Sequence, residues 1–307
     1  MKKIFIFGGI NIDIVAKKES FSKETSNPAA IDISLGGVGY NIFQGIRGKR
    51  KHFITSIGKD FFTPHLEKAL TKGPGKTSYK VCKKFSNGKY LALMESGSLL
   101  YGASDNSAIE SGFDKRFLKQ ETARIKKGSI VILEANLLPV TISKIIKDLH
   151  SSPKSKNTKI IFETVSTFKA LRSKKALKNL FLLTPTLEEL QALLPSAVIN
   201  DNKIFAYMKK NKIKNILLTL GKQGCKLYQL AKGQELVDLP ESLDRKKNKF
   251  FVTEFLPHQV IQTPNSNGAG DHLVATLASH LAKGKGLQES IPLAMLKVEK
   301  LLQQKIC

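Results

Sequence analysis

The sequence predicts an α/β fold built on a mostly parallel sheet, because short apolar runs rich in β-branched residues alternate with segments of helical spacing. The first run, residues 3–10, is continuously apolar rather than alternating, which is typical of a strand buried on both faces. Runs of the same kind recur at residues 129–133, 159–162, 180–183 and 216–220. Right-handed crossovers between such strands then define the class of topology.

Segments with helical spacing lie between these runs. Their apolar residues recur every three to four positions, the period of a helix with one buried face. The helices predicted in this way cover residues 141–149, 187–194, 202–210 and a longer segment from 270 to about 283.

Two polar regions interrupt this alternation and predict a small accessory sheet. They contain alternating and turn-forming residues, including Asn87-Gly88, a strong signal for a two-residue hairpin. No repeat or low-complexity linker divides the chain. We therefore expect a single domain over residues 1–307, with the small sheet as a lid drawn from about residues 12–35 and 76–100.

The composition is that of an ordinary globular protein. Hydrophobic residues make up 41% of the 307 residues and charged residues 24%, which excludes a disordered chain. Cys82, Cys225 and Cys307 include no C-x-x-C pair, so neither a disulfide framework nor a structural zinc site is expected. The first apolar run is too short for a signal peptide, and no run approaches the length of a membrane span. We predict a soluble, cytoplasmic protein.

The charge balance is strongly positive, with 50 Lys and Arg against 25 Asp and Glu and a net charge of +25. Nucleic acid is one partner that such a charge favours, because cations that neutralise phosphates drive binding. Most of the excess is lysine, however, and it is spread over the whole chain rather than gathered in one segment. A solvated lysine surface is therefore the preferred interpretation, and a face that attracts polyanions is the alternative.

The most informative string is Asn267-Gly268-Ala269-Gly270-Asp271, which runs directly into an apolar helix. Backbone N–H groups at such a helix N-terminus form an anion site that suits a phosphate. A carboxylate beside that site repels a phosphate, but it is what a general base for a hydroxyl nucleophile requires. The simpler alternative is a helix that begins at a glycine-rich turn, with Asp271 as an N-terminal charge.

Two strings near the N-terminus carry polar residues where a ligand would meet them. Asn11 and Asp13 follow the first buried strand, and carboxyl ends of parallel strands face the crevice where α/β folds bind ligands. Asn41 follows the turn at Gly36-Gly37 and precedes an apolar helical pattern. Asp13 and Asn41 are thus candidates to bind hydroxyl groups, with turn or capping roles as the alternative.

Together these strings resemble the ribokinase-like (PfkB) carbohydrate and nucleoside kinases in order and separation over nearly the whole chain. Within that family the sequence is most similar to the pseudouridine kinases. The similarity rests on residues 26–31 (SNPAAI) running into 36–42 (GGVGYNI), then on Ile57-Gly58-x-Asp60-Phe61 and Thr77-Ser78-Tyr79. The resemblance implies a three-layer α/β/α sandwich with a mostly parallel central sheet and a small β-sheet lid.

The resemblance also implies a role for each matching residue. Asp271 would be the catalytic base, and Gly268, Ala269 and Gly270 would form the anion hole for the transferred phosphoryl group. The substrate hydroxyls would be held by Asn11, Asp13, Gly36, Gly37 and Asn41. ATP would bind at Thr219, Gly221, Gly224 and Asn267, with Glu189 associated with Mg²⁺, which accepts a single carboxylate reached through water.

The sequence departs from the family pattern at several positions. Thr186 replaces the Asn of the family's Asn-x-x-Glu motif, and Glu163-Thr164 stands where an Asp-Pro pair is common. Asn265 and Asn267 replace an Asp and a Thr beside the anion hole, where many members bind a monovalent cation. Activation by such a cation is left open, as is weaker nucleotide binding.

The sequence therefore predicts an ATP-dependent, Mg²⁺-dependent kinase for the 5′-hydroxyl of a nucleoside, with pseudouridine as first choice. A kinase for ribose or another sugar is the alternative within the class. A non-catalytic member that binds a nucleoside or a polyanion is the alternative outside it. No membrane role is expected, because no apolar run is long enough, and nucleic acid is the less favoured partner. The exposed edge of the lid is a surface that could pair with a second chain, and the resemblance implies that a homodimer is one possible state. His272 either reaches a phosphate or packs at the helix start, and Cys225 is expected to be a buried small hydrophobe.

Overall fold

The computed structural model describes residues 2–194, 199–231, 249–261 and 267–304. The chain divides into two compact units, the first made of Met1–Ile125 with Ile261–Cys307 and the second of Lys126–Val260. Each unit contains parallel strands and helices, and the small accessory sheet belongs to the first.

The elements of the first unit alternate between strands of two sheets and the helices between them. In chain order they are β1 (Ile4–Phe7), β2 (Asn11–Lys18), β3 (Ala30–Gly36), α1 (Val38–Gly45), β4 (Lys51–Ile57), α2 (Thr63–Thr71), β5 (Lys76–Val81), β6 (Lys89–Glu95), β7 (Ser98–Asp105), α3 (Ser107–Gly112) and α4 (Lys115–Thr122). Two further helices of this unit come from the end of the chain and are given below.

The second unit follows the same alternation and ends in two antiparallel strands. Its elements are β8 (Ile130–Glu134), α5 (Pro139–Ser151), β9 (Lys159–Glu163), α6 (Thr167–Ser173), β10 (Leu182–Thr184), α7 (Leu187–Leu193), α8 (Asp201–Asn211), β11 (Asn215–Thr219), β12 (Cys225–Ala231) and β13 (Lys249–Phe255). The chain then returns to the first unit for α9 (Ala269–Ala282) and α10 (Leu287–Gln303).

The parallel strands are buried as their continuous apolar runs predict. Every residue of β1 is at most 2% exposed, and this strand pairs in parallel with β4, which pairs in parallel with β5. In the second unit β8, β9, β10 and β11 pair in parallel, and β12 and β13 extend the sheet antiparallel. Each strand and helix predicted for these regions is confirmed, with ends shifted by a few residues.

The accessory sheet is confirmed, but the prediction for residues 76–100 is partly wrong. The sheet has the order β3-β2-β6-β7, with β2 antiparallel to β3 and parallel to β6. Residues 76–81 form β5, which belongs to the parallel sheet of the first unit instead. The hairpin turn lies between β6 and β7 at Ser96 and Gly97, whose φ angles are 46° and 82°.

Asn87-Gly88 is therefore not the hairpin turn that the dipeptide predicts. It leads into β6, and the Asn87 side chain is fully buried, where its amide nitrogen donates to the Thr63 hydroxyl at 2.9 Å and to the Asp60 carboxylate. The tertiary contacts of Asn87 thus outweigh the local preference of the Asn-Gly pair for a hairpin turn. Among the described residues, no helix is both long and apolar enough to cross a membrane.

Candidate active site

Asp13 is the third residue of β2, an inner strand of the accessory sheet. Gly36, on the paired strand β3, leaves room for its carboxylate, because a Cβ built at Gly36 would lie 1.9 Å from Asp13 Oδ2. No side chain other than hydrogen is compatible with that position of the carboxylate. Gly36 thus makes room for the Asp13 carboxylate, and its predicted contact with a substrate stays a prediction.

Burial raises the pKa of Asp13 to about 6. The cause is the cost of keeping a charged carboxylate away from bulk water. A partly desolvated carboxylate is a strong hydrogen-bond acceptor for hydroxyl groups, since charge-assisted bonds exceed neutral ones in strength. Asp13 is therefore suited to bind a polyol.

The start of α1 is packed directly onto the turn that follows β1. Gly37 adopts φ +98°, and a Cβ there would come within 2.8 Å of the Gly9 carbonyl oxygen. The N–H of Tyr40 donates to that same carbonyl at 3.0 Å. Glycine at position 37 is required both by the left-handed backbone and by this contact, and the packing fixes where α1 begins.

Asn41 and Asp271 meet although 230 positions separate them along the chain. The Nδ2 group of Asn41, in the first turn of α1, donates a hydrogen bond of 2.8 Å to Oδ2 of Asp271, in the first turn of α9. Asp271 is 8% exposed. The structure thus brings a candidate hydroxyl-binding residue and the candidate base into direct contact.

The close approach of α1 and α9 explains this contact. One turn further along each helix, a Cβ built at Gly45 would lie 2.8 Å from the Cβ of Ala275, so the two backbones are as near as small residues allow. His272 packs beside the same glycine, with Nδ1 3.5 Å from that position. This contact with α1 favours the packing role for His272. Gly45 is a site-forming residue that the sequence reasoning missed.

The N-terminus of α9 has the form expected of an anion site. Gly268 is the N-cap in the left-handed conformation, with φ +79°, and the next three residues open the helix. Their N–H groups have no acceptor within the helix, because the first turn lacks preceding carbonyls. A Cβ built on Gly268 or Gly270 would meet no heavy atom of the described residues within 4 Å. Asn267, which precedes this turn, is exposed, and Asn265 lies outside the described residues.

Tyr90 lies beside Asp13 and was also missed by sequence reasoning. The two residues are register partners in the parallel pairing of β2 with β6, which places their side chains on one face of the accessory sheet. Burial and the charge of Asp13 raise the pKa of the Tyr90 phenol. Gly102 on β7 makes room for the ring, because a Cβ there would lie 3.0 Å from the Tyr90 hydroxyl.

The Asn11 side chain packs against Gly88, the residue that precedes β6. Its Oδ1 is buried without a hydrogen-bond partner among the described residues, and a Cβ built at Gly88 would lie 2.4 Å from that oxygen. The predicted contact of Asn11 with a substrate hydroxyl stays a prediction.

Within the second unit, Glu189 closes the start of α7. Its Oε2 accepts from the N–H of Thr186 at 2.8 Å, and the Thr186 hydroxyl accepts from the N–H of Glu189 at 3.3 Å, which is a capping box. The Thr164 hydroxyl donates to the same Oε2 at 2.6 Å. Two departures from the family pattern, Thr164 and Thr186, therefore hold one carboxylate between them.

The strand-to-turn segment predicted to bind nucleotide begins at the end of β11. Thr219 forms an isolated parallel bridge with Thr186, and its N–H donates to the Pro185 carbonyl at 2.9 Å. The N–H of Leu220 donates to the carbonyl of Gly224 at 2.9 Å and closes the turn. The end of β11 and the start of α7 thus form one structure at the carboxyl edge of the second unit's sheet.

The remaining residues singled out by the sequence are Glu163 and the three cysteines. Glu163 is buried at the end of β9 and accepts a hydrogen bond from the Thr184 hydroxyl. Cys225 is buried in β12, as expected, and neither it nor Cys82 forms a disulfide, whereas Cys307 lies outside the described residues. Within the described ranges, no three His, Cys, Asp or Glu side chains form a metal cluster.

Comparison with solved structures defines the fold as the ribokinase-like α/β fold. A ribokinase from Thermotoga maritima matches 97% of this chain and 92% of its own, with a TM-score of 0.72 and 20% identity. A ribokinase from Arabidopsis thaliana, solved with ribose and ATP, matches 97% and 92%, with a TM-score of 0.69 and 18% identity. At these identities the likeness concerns the fold.

The chain belongs to the pfkB family of carbohydrate kinases, whose family model matches residues 1–300. Pseudouridine kinase of Escherichia coli is 23% identical over 298 residues, which cover 95% of this chain and 87% of that protein. The uncharacterized sugar kinase YeiI of the same organism is 25% identical and covers 94% and 75%. The resemblance predicted from the motifs is confirmed at the level of the family.

Proposed function

We propose that this protein transfers the γ-phosphoryl group of ATP to the 5′-hydroxyl of a nucleoside, with pseudouridine as the first candidate. The observation that carries the proposal is the hydrogen bond between Asn41 and Asp271 at the N-terminus of α9. This bond fixes the buried carboxylate of Asp271, which lies in the first turn of α9. There the carboxylate would accept from an incoming hydroxyl, and the backbone N–H groups of the same turn would donate to a phosphoryl group.

In this proposal Asp271 is the general base. The carboxylate takes the proton of the 5′-hydroxyl as its oxygen bonds to the γ-phosphorus, and the bond from that phosphorus to ADP breaks. Asn41 orients the carboxylate by donating to Oδ2. The N–H groups that follow Gly268 stabilise the charge on the transferring oxygens, which is the largest contribution a protein makes to this chemistry.

Asp13 supplies the hydroxyl-binding carboxylate. The space at Gly36 and the partial burial of the side chain support this assignment. A diol that donates to both carboxylate oxygens would be oriented as well as bound, which lowers the entropic cost of the transfer step.

The second unit supplies the candidate nucleotide-binding residues, Thr219, Gly221 and Gly224, in a closed turn at the end of a parallel strand. Mg²⁺, when bound, would neutralise charge on the phosphates. Glu189 suits an association with Mg²⁺ through water, because its carboxylate is fixed by Thr164 and Thr186. We also propose Asn267, beside the anion site, as a contact of the nucleotide.

A nucleoside is favoured over a free sugar by the surroundings of Asp13 as well as by the similarity to pseudouridine kinase. The Tyr90 ring lies on the same face of the sheet as Asp13 and offers an aromatic surface to a planar base. A sugar kinase is the second candidate, supported by the similarity to YeiI.

The test is a panel of acceptors with ATP and Mg²⁺ that includes pseudouridine, uridine, other nucleosides and ribose. We expect the largest kcat/KM for a nucleoside, and the Asp271→Asn variant should lower kcat by roughly 10²–10⁴-fold, since it removes the base. Circular dichroism and thermal melting of the same variant check the fold. Turnover of ribose without turnover of any nucleoside would establish the second candidate instead, and undiminished activity of Asp271→Asn would remove the residue from its role.

A further inference from the structure

The carboxylate of Asp60 lies at the point where the accessory sheet joins the rest of the first unit. It accepts hydrogen bonds from the N–H of Phe62 at 2.9 Å, from the N–H of Asn87 at 3.0 Å, from the Asn87 side chain and from Lys89 Nζ at 2.7 Å. These four bonds lower the pKa of Asp60 against the effect of burial. We call Asp60, Thr63, Asn87 and Lys89 the Asp60 cluster.

The Asp60 cluster fixes the first residues of β6. Asn87 Nδ2 also donates to the Thr63 hydroxyl at 2.9 Å, and Lys89 Nζ also donates to the Asn87 carbonyl at 3.2 Å. Gly58, on the other side, packs so closely that a Cβ there would lie 2.1 Å from the Ser86 carbonyl carbon. The chain before β6 is therefore held by both side chains and backbone.

The same residues contact β2 just before Asp13. The N–H of Ile12 donates to the carbonyl of Gly88 at 2.9 Å, and Ile12 is the register partner of Lys89. Gly88 also packs against the buried, unpartnered Oδ1 of Asn11. Any displacement of Gly88 is thus transmitted to the strand residues on either side of Ile12.

The register extends this coupling to the site. One position beyond the Ile12 and Lys89 pair come Asp13 and Tyr90, which are paired with each other. Both residues that face the proposed nucleoside therefore follow directly after the residues that the Asp60 cluster holds. An ion pair with modest exposure, 18% for Asp60 and 33% for Lys89, anchors the arrangement.

We infer that Asp60 is a positioning residue that sets the place of Asp13 and Tyr90 for the acceptor substrate, acting through Asn87, Gly88 and Lys89. This inference rests on the proposed function, because it concerns the acceptor side of that site. It assigns the Asp60 cluster a role in acceptor recognition and none in nucleotide binding.

The test compares Asp60→Ala and Lys89→Met with Asp114→Ala, a matched control. Asp114 also accepts from a lysine, Lys80, at 2.5 Å and from a backbone N–H, and it lies in the same unit on another segment. We expect Asp60→Ala to raise the KM for the nucleoside roughly tenfold and to leave the KM for ATP unchanged. Lys89→Met should do the same to a smaller extent, Asp60→Asn should recover part of the loss, and Asp114→Ala should change neither KM.

Equal changes in both KM values, or a lowered melting temperature with both KM values unchanged, would overturn the inference. Hydrogen exchange separates its failure from failure of the proposed function, since it needs no turnover. We expect backbone amides of residues 11–18 to exchange faster in Asp60→Ala than in Asp114→Ala, and equal exchange would also overturn the inference. If the wild-type protein phosphorylates no nucleoside, but residues 11–18 still exchange faster in Asp60→Ala than in Asp114→Ala, only the proposed function is contradicted.

Discussion

At the scale of single residues, Asp13 gives the clearest dependence on pH. Burial raises its pKa from 3.8 to about 6, so the carboxyl group binds a proton more tightly in the folded protein than in the unfolded chain. The contribution of this group to stability is complete below 3.8 and is lost as the pH rises through about 6. The proposed binding of substrate hydroxyls by Asp13 should depend on pH in the opposite direction, because the ionised carboxylate offers both oxygens as acceptors.

We therefore expect the affinity for the nucleoside to increase as the pH rises through about 6 and to level off above it. Calorimetric titration of the nucleoside without ATP measures this directly between pH 5 and 8. Asp13→Asn is the control, since an amide does not titrate, and its weaker binding should be independent of pH. A wild-type affinity that does not vary over this range would contradict the assignment.

Residue-level prediction was most successful where chemistry and local backbone coincide. Gly37 and Gly268 have the positive φ angles that their glycine strings indicate, and Asp271 opens a helix as expected. Tyr90 and Gly45 could not be predicted in the same way. Their importance comes from partners far along the chain, and neither residue type carries a signal of its own.

At the scale of elements, the contact between α1 and α9 determines the geometry of the site. Gly45 permits the approach, and Lys51 stabilises the end of α1 by donating to the carbonyls of Phe43 and Ile46, both at 2.7 Å. A cation at a helix C-terminus also interacts favourably with the helix dipole.

Replacing Gly45 by valine should separate the two helices and stretch the bond between Asn41 and Asp271. We expect a decrease in kcat of roughly 10²-fold, together with a loss of about 1–3 kcal/mol of stability from overpacking. Steady-state kinetics and urea unfolding measure the two effects. Gly286→Ala is a suitable control for an added side chain, because φ at this position is −77° and no described heavy atom lies within 4 Å of its Cβ position. Full activity of Gly45→Val would show that the approach of the helices does not control the site.

Element types were predictable because the strands with continuous apolar runs are buried on both faces and the helices have one apolar face. The sheet that each strand joins was harder to predict. Residues 76–81 and 89–95 both lie in the region predicted for the accessory sheet, yet β5 joins the parallel sheet and β6 the accessory sheet. Asn87, which lies along the chain between the two strands, is buried and donates to Asp60 and Thr63, and no local pattern expresses these tertiary contacts.

At the scale of the whole molecule, the net charge of +25 remains to be explained. The family membership accounts for the fold without a nucleic-acid role, and we interpret the lysines as a solvated surface. Long-range attraction of an anionic nucleotide is one benefit that such a surface offers.

We expect this surface to bind oligonucleotides weakly and to lose them at physiological salt. Fluorescence anisotropy of a labelled oligonucleotide, titrated with protein at increasing salt, measures both the affinity and its slope. Weak oligonucleotide binding by a protein that is active with ATP would support the interpretation of the lysines as a solvated surface. Tight binding that persists at physiological salt would favour the polyanion-binding alternative. Sedimentation of the protein alone measures whether it is a monomer or a homodimer.

The bond between Asn41 and Asp271 has a consequence for biosynthesis. The first unit is interrupted by residues 126–260 and completed only by the segment that carries α9. During translation Asn41 emerges early, whereas Asp271, the proposed base, is added after more than two hundred further residues. Helix α1 therefore lacks its partner helix during much of the synthesis of the chain. A product truncated before residue 269 would retain Asp13 and Asn41 but lack α9 and the proposed base, Asp271.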